Sequence, residues 1–127
     1  MVEFYQKLMA LTPLATAIFE RTGGQPFLLQ LYGSVLIQHL NDNKRKQAEM
    51  ADLAIVEAQV LEQANYYFKN IVEAAPEHAQ TGLVALAEAQ PCLLDKRTRR
   101  WLNRRCLLTA EDQLMIPVLG EWIREYG

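Results

Sequence analysis

The chain has 127 residues, of which 50% are hydrophobic and 22% are charged, a composition typical of one folded domain or of two small subdomains. It contains no apolar run of about 18 residues and no basic segment leading into an apolar stretch at its start, so neither a transmembrane span nor a secretory signal is expected. Two cysteines and two scattered histidines are too few for a structural zinc site. These features predict a cytoplasmic protein with reduced thiols and no membrane partner.

Charge is distributed unevenly along the sequence. The formal net charge is −2, but residues 96–105 hold six of the 13 basic residues and no acidic residue. The rest of the chain has seven basic and 15 acidic residues, a net charge of −8. A concentrated basic segment in an acidic chain points to an anionic ligand, which could be DNA or a partner protein. The candidate binding residues are Lys96, Arg97, Arg99, Arg100 and Arg104.

The first part of the sequence has the apolar spacing of a helical bundle. Pro26 follows the Gly23–Gly24 pair and suits the first position of a helix, where the backbone N–H needs no intrahelical partner. The longest predicted helix would span about 42 Å, more than the width of a small domain, so a break is expected near Asn65. The predicted helices cover residues 2–11, 13–21, 26–41 and 48–75.

The last part of the sequence has a different pattern, with short elements in the order typical of a winged helix. Asp95 is a good N-cap for the basic helix. The inward side of this helix is predicted to consist of Thr98, Trp101, Leu102 and Cys106. Residues 107–109 and 114–116 flank a polar turn and predict a β-hairpin. Helices over 77–89 and from Pro117 to Tyr126 complete this part.

The predicted fold class is therefore mainly α, with a helical bundle followed by a winged helix that contains one small β-hairpin. The predicted boundary between the two domains lies between residues 75 and 76. The first domain thus covers residues 1–75 and the second covers residues 76–127.

The sequence lacks the motifs of a catalytic site. It contains no Gly-x-x-x-x-Gly-Lys-Ser/Thr loop, no Gly-x-Ser-x-Gly elbow and no His-Glu-x-x-His motif. Neither His39 nor His78 has a carboxylate or thiol at a spacing that suits a metal or a catalytic dyad. We therefore expect no catalytic residue, no metal and no cofactor in this chain, and no enzymatic activity of its own.

Two motifs lie at opposite ends of the sequence. Residues 18–30 read Ile-Phe-Glu-Arg-Thr-Gly-Gly-Gln-Pro-Phe-Leu-Leu-Gln, and residues 116–124 read Ile-Pro-Val-Leu-Gly-Glu-Trp-Ile-Arg. Between them lie Asn-Tyr-Tyr-Phe at 65–68 and Arg-Arg-Cys-Leu-Leu at 104–108. In order and spacing, these segments resemble the helical lid and winged helix of STAND-type P-loop ATPases, which are related to the AAA+ and archaeal ATPases.

The resemblance implies that these residues are part of a larger ATPase whose nucleotide-binding domain precedes them. In that family the Gly-x-Pro segment lies against the adenine of ADP, which implies a nucleotide contact for Gly24 and Pro26 only when the ATPase domain is present. ATP and ADP would then be ligands of the parent protein. The sequence departs from AAA+ lids at Phe27 and Leu28, where those lids usually carry a sensor arginine. The same glycines and proline also suit a corner between helices chosen for backbone geometry alone.

Three functions remain open at this point. The expected one is a non-catalytic regulatory module of a STAND-like or AAA+-like signalling ATPase, which contacts the upstream ATPase domain or a partner protein. The alternative is a winged-helix transcriptional regulator that binds DNA through the basic helix. A third is a protein-interaction module that uses an apolar helix face. The sequence pattern predicts no particular oligomeric state.

Overall fold

The computed structural model of the protein describes residues 13–90 and 94–127. These residues are mainly helical and include no sheet, so the mainly α prediction is confirmed. The predicted helix over 2–11 lies outside the described residues. The described helices are α1 (Pro13–Thr22), α2 (Pro26–Asp42), α3 (Asp52–Gln63), α4 (Asn65–Ala74), α5 (Glu77–Ala87), α6 (Lys96–Arg104) and α7 (Pro117–Tyr126).

The chain divides into two compact units, Met1–Gln63 and Ala64–Gly127, which we call unit 1 and unit 2. The predicted break near Asn65 is confirmed, because α3 ends at Gln63 and α4 begins at Asn65. The division lies at this break, earlier in the chain than the predicted boundary at 75, and α4 therefore belongs to unit 2.

Unit 1 is described from Pro13 onward and has α2 at its centre, packed against both α1 and α3. Its core includes Leu28 and Tyr32 of α2, which are fully buried. Gly23 and Gly24 take left-handed backbone conformations, with φ of 62° and 77°, and turn the chain from α1 into α2. Such angles are strained for residues with a side chain, which explains the glycine pair.

Unit 2 has α5 at its centre, in contact with α4, α6 and α7. The fully buried side chains of Phe68, Leu83, Leu102 and Leu119 come from these four helices. Unit 1 has buried apolar residues of its own, such as Leu28 and Val60, so each unit can build a separate core.

The predicted β-hairpin is not formed. The structure shows only an isolated antiparallel bridge between Leu108 and Leu114 in this part of unit 2. The ladder does not extend toward α6, because the Leu107 N–H donates to the Leu102 carbonyl at the end of that helix, and Pro117 begins α7 immediately after 114–116. The apolar residues of this segment instead fill the core, where Leu107, Leu108 and Ile116 are buried.

The prediction that Cys106 lies in the core is also wrong. The basic helix ends at Arg104, and Cys106 follows it with a φ of 57° and an exposed side chain. The helical periodicity that predicted its burial does not extend to this residue.

Three helices of the two units end in the same way, with a residue other than glycine in the left-handed conformation. Lys44, Ala89 and Cys106 have φ of 53°, 58° and 57° at the ends of α2, α5 and α6. In each case the next backbone N–H donates to the carbonyl five residues earlier, at distances of 2.9, 2.7 and 3.0 Å. This is the Schellman arrangement, which satisfies the last carbonyls of a helix.

Candidate anion-binding face

The basic helix α6 begins at a side-chain cap. The Asp95 carboxylate accepts a hydrogen bond from the Thr98 backbone N–H at 2.7 Å, as its sequence position predicts. This bond, followed by one from the Thr98 side chain, lowers the pKa of Asp95 below its ordinary value of 3.8. The cap is therefore charged at neutral pH and fixes the start of α6.

The inner side of α6 is held against α5 by close packing and a buried hydroxyl. Thr98 Oγ1 lies 3.0 Å from His78 Nδ1 and 3.3 Å from the His78 carbonyl oxygen. Gly82 of α5 faces the same threonine so closely that an added Cβ would lie 2.4 Å from Thr98 Cγ2. Leu102, one turn further along α6, is fully buried. These contacts determine which side of α6 faces solvent.

The outer side of α6 carries the predicted basic residues, and all of them are exposed. Residues three or four positions apart lie on the same side of a helix, so Lys96, Arg100 and Arg104 form a row that is about 12 Å long. Among the described residues, Arg99 is the only member of the set with an ion-pair partner. The basic face, as we call it, consists of Lys96, Arg97, Arg99, Arg100 and Arg104.

The sixth basic residue of this segment has a different environment. The Arg105 guanidinium lies 5.0 Å from the centre of the Trp101 ring, within the range of a cation–π contact. Trp101 is half-buried, whereas Thr98 and Leu102 are buried. The predicted inner side of Thr98, Trp101, Leu102 and Cys106 therefore holds at Thr98 and Leu102, holds in part at Trp101 and fails at Cys106, which is exposed.

Unit 2 as a whole is electrically neutral despite this face. Residues 64–127 include eight lysines and arginines and eight aspartates and glutamates, so their formal charge is zero. Two of the acids, Glu111 and Asp112, lie in the loop that follows α6, and Asp112 Oδ2 is 3.1 Å from the Arg99 guanidinium. Six of the eight basic residues of unit 2 thus lie within residues 96–105.

The two residues with an implied nucleotide contact lie in unit 1, at the corner between α1 and α2. Pro26 is exposed at the first position of α2, and Gly24 is half-exposed. A Cβ at Gly24 would lie 3.1 Å from the end of the Phe19 ring, and the Gly24 N–H donates to Thr22 Oγ1 at 3.3 Å. Local packing accounts for this corner, and the nucleotide contact stays a prediction.

Sequence reasoning missed a charged cluster that joins the three described helices of unit 1. The Glu57 carboxylate accepts from Arg21 Nε at 2.8 Å, from Arg21 Nη2 at 3.1 Å and from the Tyr32 hydroxyl at 2.6 Å. Burial, followed by the contact with Glu57, raises the pKa of Tyr32. Arg21 and Glu57 lie 36 residues apart, so no local pattern could have paired them.

A second cluster surrounds Asp52, a buried carboxylate at the start of α3. Its Oδ2 accepts from the Glu49 backbone N–H at 2.7 Å, and its Oδ1 accepts from His39 Nε2 at 2.9 Å and from the Arg45 guanidinium. The bond from Glu49 is the main cause that lowers the pKa of Asp52, burial opposes it, and His39 and Arg45 lower it further. His39 therefore has a structural contact.

No ligand site is evident inside the part of the chain that the structure describes. Within residues 13–90 and 94–127, no three His, Cys, Asp or Glu side chains are grouped to hold a metal, and no buried side-chain nitrogen or oxygen lacks a hydrogen-bond partner. None of the described helices is long and apolar enough to cross a membrane. The basic face thus stands out as the candidate site because its charges are exposed.

Comparison with family models, with curated proteins and with solved structures gives no match to this chain.

Proposed function

We propose that the chain is a non-catalytic interaction module that binds an acidic protein surface through the basic face of α6. The observation that carries the proposal is the contrast between the two sides of this helix. Its inner side is fixed by Thr98 and Leu102, while its outer side presents five exposed cationic side chains. A fixed helix with an exposed row of charges is pre-organised to meet opposite charges on a partner, which favours fast and selective association.

The charge balance of unit 2 favours a protein partner over nucleic acid. Domains that bind nucleic acid through the phosphate backbone usually have a strongly positive net charge, whereas the net charge of residues 64–127 is zero. Glu111 and Asp112 beside the face would repel a continuous line of phosphates. An acidic protein surface can place its carboxylates opposite the arginines and avoid these two acids.

The resemblance to STAND-type ATPases supplies a regulatory setting for this contact. In that setting residues 1–75 correspond to the helical lid and residues 76–127 to the winged helix, and Gly24 and Pro26 face the adenine of a nucleotide held by the ATPase domain. The acidic surface then belongs to that domain or to a partner protein. The order of α5, α6 and the bridged loop supports this assignment.

DNA binding is the second candidate because of the position of α6. In a winged helix the recognition helix is followed by the wing, and here α6 is followed by the loop that the Leu108–Leu114 bridge closes. Arginine also suits both phosphate and guanine contacts. Measuring both ligand types in parallel distinguishes the two candidates.

Fluorescence anisotropy tests the proposal with a labelled poly-glutamate peptide and a labelled DNA duplex, at about 50 and about 200 mM salt. The variant that replaces Arg97, Arg100 and Arg104 with alanine is expected to lose peptide binding. Its matched control replaces Lys44, Lys46 and Lys69, three exposed lysines outside the face, and is expected to bind as the unaltered chain does. Both variants lose three positive charges, so the comparison isolates the position of the charge.

Tighter binding of the duplex than of the peptide, dependent on the three arginines and steeply weakened by salt, would replace the proposal with the DNA candidate. No binding of either probe at about 50 mM salt would show that the basic face is only a solvated surface.

A further inference from the structure

The loop of residues 110–113 contacts the basic face through an ion pair between Asp112 and Arg99. Asp112 Oδ2 lies 3.1 Å from Arg99 Nη2, with 35% of the Asp112 side chain and 45% of the Arg99 side chain exposed. The chain thus places a carboxylate of its own on a face whose charge suits the carboxylates of a partner.

The loop is held in this position by its own hydrogen bonds. The Thr109 N–H donates to the Gln113 carbonyl at 2.7 Å, the Gln113 N–H donates to Thr109 Oγ1 at 3.0 Å, and the Asp112 N–H donates to the Thr109 carbonyl at 3.1 Å. Asp112 itself has a φ of 57°, a conformation that aspartate and asparagine tolerate better than most residues. Because the turn is preformed, its carboxylate faces Arg99 at a high effective concentration.

The ion pair between Asp112 and Arg99 is weak enough for a partner carboxylate to replace Asp112. An ion pair between two partly exposed side chains gains little, since water and salt screen it. A partner that brings several carboxylates to the face can therefore displace Asp112 from Arg99, at the cost of this one contact.

We infer that the 110–113 loop is a built-in competitor that lowers the affinity of the basic face for acidic partners, with Asp112 occupying the position of a partner carboxylate on Arg99. This inference rests on the proposed function. It assigns different roles to two neighbouring acids, because Glu111 is exposed and has no ion-pair partner among the described residues. Glu111 repels an acidic partner without contacting a particular residue, whereas Asp112 forms an ion pair with Arg99 that a partner carboxylate would have to displace.

The test compares Asp112→Asn with Glu111→Gln in the poly-glutamate binding experiment at about 50 mM salt. Each variant removes one negative charge from the same loop, and asparagine tolerates the left-handed conformation at position 112. Asp112→Asn is expected to bind the peptide about two- to fivefold more tightly than Glu111→Gln does, the range expected for one exposed ion pair. In an Arg99→Ala background, the advantage of Asp112→Asn over Glu111→Gln is expected to disappear.

The outcomes separate the inference from the proposed function. Equal gains in the two variants, or a gain from Asp112→Asn that persists without Arg99, would overturn the inference while peptide binding by the unaltered chain still supports the proposed function. Failure of the unaltered chain and of all variants to bind the peptide would overturn both.

Discussion

The two units differ in what they do with their charged side chains. Unit 1 joins its helices through charges, since Glu57 bonds to Arg21 and Tyr32, and Asp52 bonds to His39 and Arg45. Unit 2 joins its helices through hydrogen bonds in which neither partner, or only one partner, is charged. Examples are the Trp122 indole N–H, which donates to Asn65 Oδ1 at 2.9 Å, and the Arg124 guanidinium, which donates to the Ala87 carbonyl.

This difference separates structural charge from charge that is available for binding. A carboxylate with two or three donors is already satisfied, and removing one partner destabilises the fold without exposing a useful group. The arginines of α6 are also charged, but they have few partners in the structure, so they can bind a ligand at little cost to stability. Three sets of variants test how far this contrast extends.

The largest effect is expected at the close contact between α5 and α6 of unit 2. Gly82→Ala should destabilise the unit by about 1–3 kcal/mol, because the new Cβ would lie 2.4 Å from Thr98 Cγ2 and 3.0 Å from Leu94 Cδ2. Both tryptophans, Trp101 and Trp122, lie in unit 2, so tryptophan fluorescence during urea unfolding reports on this unit.

Gly33→Ala is the matched control, because Gly33 lies in α2 of unit 1 and an added Cβ there meets nothing within 4 Å. Unit 1 contains no tryptophan, so amide hydrogen exchange in α2 measures the stability of this variant. It should stabilise its helix by up to about 1 kcal/mol. Thr98→Ser removes the Cγ2 atom and should restore part of the stability of the Gly82→Ala variant. Equal stabilisation by the two glycine replacements would show that α5 and α6 do not approach each other this closely.

The second effect concerns acid sensitivity in unit 1. The folded state lowers the pKa of Asp52 below 3.8, so the stability it contributes is present above that value and is lost as the pH falls through the lowered pKa. Asp52→Asn should lower the free energy of unfolding at neutral pH by about 2 kcal/mol and flatten its dependence on acid pH.

Amide hydrogen exchange in α2 and α3 measures this effect, since unit 1 contains no tryptophan. Asp42→Asn is the control at an exposed carboxylate of α2, which accepts a hydrogen bond from Gln38 at 3.0 Å. The same loss of protection in both variants would argue that the Asp52 cluster contributes no more than a surface charge.

The smallest effect concerns a feature that the two units share. Ala89→Gly in unit 2 and Lys44→Gly in unit 1 should each stabilise the protein by about 1 kcal/mol, because both residues have a left-handed backbone that glycine adopts without strain. Ala58→Gly, at an exposed position inside α3, should have the opposite sign. Thermal unfolding followed by circular dichroism compares the three. Destabilisation by both replacements at the helix ends would contradict the backbone angles at those positions.

Most helix boundaries could be predicted because their signals are local. Asp95 caps α6, and Pro26 and Pro117 begin α2 and α7. The predicted break near Asn65 agrees with the observed break at Ala64, between α3 and α4. The β-hairpin could not be excluded from sequence in the same way. Its residues have the right pattern, but the Leu107 N–H donates to the Leu102 carbonyl instead of to a partner strand, and that bond depends on where α6 ends.

The sequence predicted which residues form the basic face and which side of α6 they lie on, but it did not predict the contact of this face with Asp112. Helical periodicity places Thr98 and Leu102 inward and the arginines outward, and the structure agrees. The approach of Asp112 to Arg99 depends on the turn after α6 and on the left-handed conformation of Asp112 itself. A sequence pattern that treats residues 107–116 as paired strands cannot show it.

The hydrogen bond between Trp122 and Asn65 has a consequence for the order of events during synthesis. It joins residues that are 57 positions apart, and α7 also packs on α4 and α5. The ribosome therefore releases α4, α5 and α6 before the helix that completes their core has been made. Until residues 117–126 are synthesised, the apolar sides of α4 and α5 that pack against α7 stay uncovered. The exposed basic residues of α6 then lie on the same nascent chain as these uncovered apolar surfaces.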